Sequence, residues 1–136
     1  MNKLKTRHVD RHLYVNFLKR AVECMNAAKM SLEEKNYSAS AICSVHSAIA
    51  GIDALCTYFM QLRHSGYDHR DAAKLMESVK GIKTGDLNEA TGKYVRIMNM
   101  KYMAEYEERL IKSKEAEKLC VEAGELLEFV ISNLPK

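Results

Sequence analysis

The sequence predicts an all-α protein, an antiparallel up-and-down helical bundle with four long helices and one short helix. Three observations predict this fold class. The 136-residue chain has one proline and six glycines, apolar residues recur at helical spacing through most of it, and no long stretch alternates apolar with polar residues as a strand would. A chain of this length buries a core without disulfides or metals, so we expect a single domain over residues 1–136.

The first two helices are predicted from the apolar pattern and from its ends. The first runs from about His8 to Lys35, and Asn36 is a natural stop. The second runs from about Ser38 to Arg63 and ends before a Ser-Gly pair. Its residues are almost uncharged and apolar on nearly every side, which is typical of a central helix in a bundle.

The second helix carries one histidine and one acid in its interior, His46 and Asp53. They are seven residues apart, about two helical turns, and therefore share a face. Buried polar groups need partners. We expect Lys101 or Arg96 of the fourth helix to neutralise Asp53, and Tyr106 or a backbone carbonyl to bond His46. The sequence thus predicts a structural polar cluster consisting of His46, Asp53, Lys101 and Tyr106.

The third and fourth helices have weaker patterns. The third is predicted to open at Asp68, a favourable N-cap, and to end before Gly81. The fourth opens near Asp86 and runs toward Met103 or Tyr106. It includes several apolar positions at helical spacing, but a glycine near its start weakens the helical pattern there.

The last helix has the clearest period. Ser113 is the expected N-cap, Glu115 and Glu117 are favourable near the positive end of the helix dipole, and Pro135 ends the helix. Short connections between helices of this length favour antiparallel neighbours.

The net charge is only +3, but residues 1–20 hold six basic side chains and one acid. A basic end of this kind can meet phosphates or an acidic partner, although it is also typical of a solvated helix start. The residues that would contact nucleic acid are Lys3, Lys5, Arg7, Arg11, Arg63 and Arg70.

The four cysteines are Cys24, Cys43, Cys56 and Cys120, and no two form a C-x-x-C pair. All fall at apolar helix positions, which favours free thiols in a reducing cytoplasm. The first residues lack the apolar segment of a signal peptide. Since Asp53 would be costly at the centre of a bilayer, we expect a cytoplasmic protein with no membrane contact.

Catalysis has three candidate residues, His69, Arg63 and His46. In a ribonuclease a histidine moves the 2′-hydroxyl proton and an arginine stabilises the developing phosphorane charge. A charged surface loop and a satisfied core histidine explain the same residues without catalysis. The chain has no Gly-rich phosphate loop, nucleophile elbow, H-E-x-x-H or zinc-finger spacing, so no cofactor and no metal site are predicted.

Three segments together resemble the HEPN family of small helical domains associated with nucleotides and RNA. The segment around His46 and Asp53-Ala54-Leu55 resembles the family's second helix, residues 66–76 resemble its following loop and helix, and residues 101–107, KYMAEYE, resemble its late acidic motif. The likeness extends over roughly residues 35–130. It implies the helical fold, a homodimer, and binding of RNA or a nucleotide. It also implies a nucleotidyltransferase as a possible partner, in a toxin–antitoxin or defence setting.

The chain departs from the family at the nuclease motif. Many RNA-cutting members carry an Arg and a His four to six residues apart at the start of a late helix, but no His follows Arg96 here. Arg63 and His69 have similar spacing but lie in the loop after the second helix. The resemblance therefore implies a non-catalytic module that binds RNA, a nucleotide or a protein. A metal-independent ribonuclease using His69 or His46 with Arg63, and a purely structural helical adaptor, are the alternatives.

Overall fold

The computed structural model describes residues 4–136, and helices account for most of them. The long helices are α1 (Tyr14–Glu33), α2 (Tyr37–Met60), α4 (Thr84–Tyr106) and α5 (Ser113–Ser132), and the short helix is α3 (Ala72–Met76). Two three-residue strands, β1 (Thr6–His8) and β2 (Leu62–His64), complete the regular structure with two 3₁₀ turns at Arg11–Leu13 and His69–Asp71. The predicted all-α bundle of four long helices and one short helix is confirmed.

Helix α2 is the centre of the bundle and contacts α1, α4 and α5. Its length and its mean hydropathy of 1.4 would also suit a membrane span, but 72% of its most apolar window is buried by the rest of the chain. That degree of burial is typical of the core helix of a bundle. The helix therefore holds its polar residues where neighbouring elements supply their partners.

Helices α1 and α2 form an antiparallel hairpin with close backbone contact. The Ser40 hydroxyl donates to the carbonyl of Ala28, and the Ser47 hydroxyl donates to the carbonyl of Ala21, both at 2.8 Å. All four residues are buried. Because their side chains are small, a hydroxyl on one helix reaches the main chain of the other, and the two bonds fix the register of the pair.

The first helix begins at Tyr14, and the prediction that it starts at His8 is wrong. The reason is an antiparallel pairing of β1 with β2, in which Arg7 lies opposite Arg63. Arg11 follows, and its Nε donates to the carbonyl of Tyr58 at 2.7 Å, near the end of α2. The first residues are thus held against the chain that leaves α2.

The second helix ends at Met60, three residues before its predicted end. Gln61 has a φ of 54°, a left-handed conformation that stops the helix. Arg63 consequently lies in β2, where the chain turns back along the bundle. This reversal determines which acid Arg63 meets.

The remaining boundaries differ by smaller amounts. Asp68 is an N-cap as predicted, but it caps the 3₁₀ turn, and α3 ends at Met76, well before Gly81. The fourth helix begins at Thr84 and reaches Tyr106.

The last helix has its N-cap one residue earlier than predicted, at Lys112. The Lys112 backbone N–H donates to the Glu115 side chain at 2.9 Å, which satisfies the backbone where the helix begins. The helix ends at Ser132, before Pro135.

Candidate functional site

A cleft of about 490 Å³ lies between residues 67–70 and the C-terminal half of α4. This volume is in the range of small-ligand sites. The loop side contributes Tyr67, His69 and Arg70, and α4 contributes Lys101 and two tyrosines. The cleft therefore combines cationic, imidazole and aromatic groups.

The loop side of the cleft is fixed to α4 by a buried tyrosine. The Tyr94 hydroxyl donates to the His69 carbonyl at 2.8 Å, and Tyr94 itself is 1% exposed. Within the loop, Asp68 accepts from the Arg70 backbone N–H at 3.0 Å and from the Arg70 guanidinium at 2.9 Å. The loop thus presents His69 and Arg70 from a defined backbone position.

A carboxylate lies between a histidine of α2 and a lysine of the cleft. Glu105 Oε1 lies 3.1 Å from His46 Nε2, and Glu105 Oε2 accepts from Lys101 Nζ at 2.9 Å. Burial alone would raise the pKa of Glu105, but the hydrogen bond and charge of Lys101 and the charge of His46 hold that pKa below its ordinary value. Glu105 is therefore ionised at pH 7, and its side chain is only 13% exposed.

Two further imidazoles lie on the loop side. The ring centroids of His64 and His69 are 6.1 Å apart. Burial lowers the pKa of His69, and the positive charge of Lys101 lowers it further. Burial also lowers the pKa of His64. The His69 ring is consequently neutral at pH 7 and can accept a hydrogen bond or a proton.

Exposed aromatic rings lie beside the cations. The rings of Tyr102 and Tyr106 are 5.7 Å apart, and these residues are 66% and 65% exposed. Lys101 Nζ lies 5.4 Å from the Tyr106 ring centroid, and Lys5 Nζ lies 5.9 Å from that of the fully exposed Tyr67. Such rings can stack on bases while the adjacent ammonium groups meet phosphates.

The predicted polar cluster divides into two in the structure. His46, Lys101 and Tyr106 come together around Glu105, a residue that the sequence analysis did not place in the cluster. The i, i+4 spacing of Lys101 and Glu105 was the available signal for their pairing. His46 bonds Glu105 rather than Tyr106 or a carbonyl, so that prediction is wrong.

Asp53 belongs to the second group, because Arg63 is its partner instead of Lys101 or Arg96 of α4. Arg63 Nη2 lies 3.3 Å from Asp53 Oδ2, and the guanidinium carbon lies 5.0 Å from the Phe17 ring centroid. Asp53 is 6% exposed. Burial raises the pKa of Asp53 from 3.8 to about 6, and the opposing effect of Arg63 is smaller. Arg63 is thereby held in an internal ion pair.

The basic residues predicted to contact nucleic acid have different environments. Lys5 lies beside Tyr67, which lines the cleft, and Arg7 is exposed on β1. Arg11 and Arg63 are engaged at the end of α2 and with Asp53, respectively, and Arg70 is paired with Asp68. Lys3 lies outside the described residues.

Within residues 4–136, no group of three or more His, Cys, Asp or Glu side chains is arranged to hold a metal ion. The groups of the cleft are suited to recognising an anion and a flat ring, and His69 can also transfer a proton.

No family model and no curated protein matches the chain. Among solved structures, the chain is similar to the crystal structure of TT1696 from Thermus thermophilus. The match has a TM-score of 0.66 at 18% identity and covers 90% of this chain and 98% of that one. At this identity the likeness shows the fold alone.

Proposed function

We propose that the chain is a HEPN-like helical module that binds single-stranded RNA, or a nucleotide, in the cleft without cleaving it. The observation that carries this proposal is the exposed pair Tyr102 and Tyr106 directly beside Lys101. Stacking on exposed rings with a neighbouring ammonium group is how proteins hold unpaired bases and their phosphates.

The arrangement of the cleft supports an oligonucleotide over a single nucleotide. Lys101 and Arg70 line the cleft, where a phosphate would compete with Glu105 and Asp68 for their charges, and Tyr102 offers a stacking surface on α4. On the loop side, Tyr67 with Lys5 repeats the combination of ring and cation. Two such combinations suit a strand of more than one nucleotide.

The biological setting rests on the resemblance to the HEPN family. It supports a homodimer in the cytoplasm, a nucleotidyltransferase as protein partner, and a toxin–antitoxin or defence context. These proposals are associations with a family and do not follow from the chemistry of the cleft.

We expect Tyr102→Leu to weaken binding of a labelled single-stranded RNA by about tenfold, because stacking on one ring contributes roughly 1–3 kcal/mol per base. Fluorescence anisotropy at two salt concentrations measures the effect. Tyr102→Phe is the matched control, since it keeps the ring and removes only an exposed hydroxyl, and it should bind like the wild type. Equal losses in both variants would assign the contact to the hydroxyl and contradict stacking. No salt-dependent RNA affinity in the wild type would support the structural adaptor instead.

A ribonuclease remains the second candidate because of His69. This neutral imidazole lines the cleft together with Lys101, so a base and a cationic group are near one another. Arg63, the arginine expected to assist it, is paired with Asp53. Lys101 would have to stabilise the phosphorane, but its ammonium is bonded to Glu105.

We therefore expect RNA incubated with the purified protein to stay intact on a denaturing gel over hours. His69→Asn serves as the control for a contaminating nuclease. Cleavage by the wild type that is lost in His69→Asn would establish the enzyme and contradict the non-catalytic proposal.

A further inference from the structure

Two of the four cysteines lie at one level of the α1–α2 hairpin. The hydrogen bonds from Ser40 to Ala28 and from Ser47 to Ala21 pair positions whose numbers run oppositely along the two helices. Cys24 lies three residues after Ala21, and Cys43 lies three residues after Ser40. Each cysteine thus lies, on its own helix, between the two hydrogen-bonded positions and on the face that packs against the other helix.

The surroundings of the two thiols differ from those of the other cysteines. Cys24 and Cys43 are half-buried, whereas Cys56 and Cys120 are buried. The pKa of Cys24 is raised by burial first and by Cys43 second, so the two sulfur groups are near enough to influence one another. The hairpin is also tightly packed at this level, because hydroxyls of α2 bond carbonyls of α1 at 2.8 Å on either side.

We propose that Cys24 and Cys43 form a site of reversible oxidation, in which a peroxide converts the two thiols into a disulfide that joins α1 to α2. A disulfide needs its two Cα atoms within about 7 Å and its side chains facing each other. The two cysteines lie at one level of the hairpin, on the facing sides of two closely packed helices, and this arrangement favours that geometry.

The reaction balances with hydrogen peroxide as the oxidant. The Cys43 thiolate attacks one peroxide oxygen, an S–O bond forms, the O–O bond breaks, and hydroxide leaves to become water. The Cys24 thiolate then attacks the sulfenic sulfur, the S–S bond forms, and the S–O bond breaks with loss of a second hydroxide. Two thiols lose two electrons in total, and one peroxide is reduced to two waters. A dithiol reductant reverses the oxidation of the protein.

The raised pKa of Cys24 makes its attack on peroxide slow, which leaves it the second step. A thiol with a high pKa is mostly protonated and reacts slowly with peroxide, but as a resolving group it acts on a sulfur already placed beside it. Because Cys24 and Cys43 are close in the sequence, their disulfide would join only α1 to α2 and would leave α4 and α5 unconstrained.

The test uses the reduced, full-length protein treated with hydrogen peroxide. We expect the count of reactive thiols under denaturing conditions to fall from four to two, with a mass decrease of about 2 Da that a dithiol reductant reverses. We also expect the melting temperature to rise by about 5–10 °C, because the bond restricts the unfolded chain. Retention of four thiols, or mass gains from added oxygen, would overturn the proposal.

Matched variants assign the bond. Trypsin leaves Cys43 and Cys56 together in the peptide 36–63, so peptide mapping alone does not distinguish these two cysteines. The variants Cys56→Ala and Cys120→Ala make the distinction, and each should still lose two thiols on oxidation. Cys24→Ser and Cys43→Ser, at half-buried positions, should show no intramolecular disulfide and no reductant-reversible rise in melting temperature. A bond that persists in either serine variant, or one found between two chains, would contradict the assignment.

Discussion

Arg63→Met should lower the free energy of unfolding by about 3 kcal/mol at pH 8, and by much less at pH 5. The substitution keeps a long apolar side chain near Phe17 but removes the guanidinium 3.3 Å from the buried Asp53. Leaving one member of a buried ion pair without its partner costs about 3–5 kcal/mol. At pH 5 Asp53 binds a proton in the folded protein and most of that cost disappears.

The sign of the pH dependence follows from the pKa of Asp53. That pKa is raised from 3.8 to about 6 in the folded protein, so the folded state binds a proton more tightly than the unfolded state. The resulting stabilisation is full below pH 3.8 and is lost as the pH rises to about 6, a change of roughly 3 kcal/mol in the wild type. In Arg63→Met the pKa rises further, and the loss continues to higher pH.

Urea denaturation at pH 5 and pH 8 measures both effects. Asp53→Asn is the control, because its amide does not titrate, and its stability relative to the wild type should increase between pH 4 and pH 6. The double variant Asp53→Asn/Arg63→Met should recover most of the loss at pH 8. An equal loss in Arg63→Met at both pH values would show that packing on Phe17, and not the charge of Asp53, accounts for the effect.

Lys101→Met and Glu105→Gln should change RNA affinity in opposite directions. Lys101 supplies an ammonium group to the cleft, and we expect its removal to weaken binding about tenfold at low salt. Glu105 holds that ammonium at 2.9 Å and also bonds His46. As an ionised carboxylate it competes with phosphate, so its neutral isostere should bind RNA about fivefold more tightly.

Opposite signs separate a charge effect from damage to the fold, since a merely destabilised cleft would bind less RNA in both variants. Lys29→Met is the matched control. Lys29 is an exposed lysine of α1 and does not line the cleft, so its loss should reduce affinity by less than about twofold. A similar loss for Lys29→Met and Lys101→Met would indicate a diffuse attraction to the whole surface and would remove the support for this cleft.

Most of the helices could be predicted because apolar residues at helical spacing, or a nearly uncharged apolar segment in the case of α2, mark most of their length. The sequence was least informative where the chain changes direction. Nothing in a local pattern indicates that residues 6–8 pair with residues 62–64 as short strands, since that pairing depends on where α2 ends. Gln61 ends α2 by adopting a left-handed conformation. Glycine and asparagine are the usual residues in that conformation, so a glutamine does not indicate the end of a helix.

The site was predictable in part for the same reason. Of the cluster that was expected, His46 and Lys101 both bond Glu105, and Lys101 lies beside the Tyr106 ring, because α2 and α4 pack together. The partner of Asp53 was misassigned because Arg63 was taken as the last residue of a helix. Only the reversal of the chain after α2 brings that guanidinium to an acid ten residues earlier. The place of Glu105 between His46 and Lys101 also depends on the packing of α2 against α4, which the local sequence does not indicate.

The hydrogen bonds of Ser40 and Ser47 restrict which residues related proteins of this fold can carry in the α1–α2 hairpin. A side chain larger than Ala or Ser at positions 21, 28, 40 or 47 would force the two main chains apart and leave hydroxyl or carbonyl groups without their bonds. Elsewhere the helices tolerate exchange of one apolar residue for another of similar volume. Distantly related proteins should therefore retain one pair of small residues seven positions apart on α1 and a second such pair on α2, even where most other residues differ.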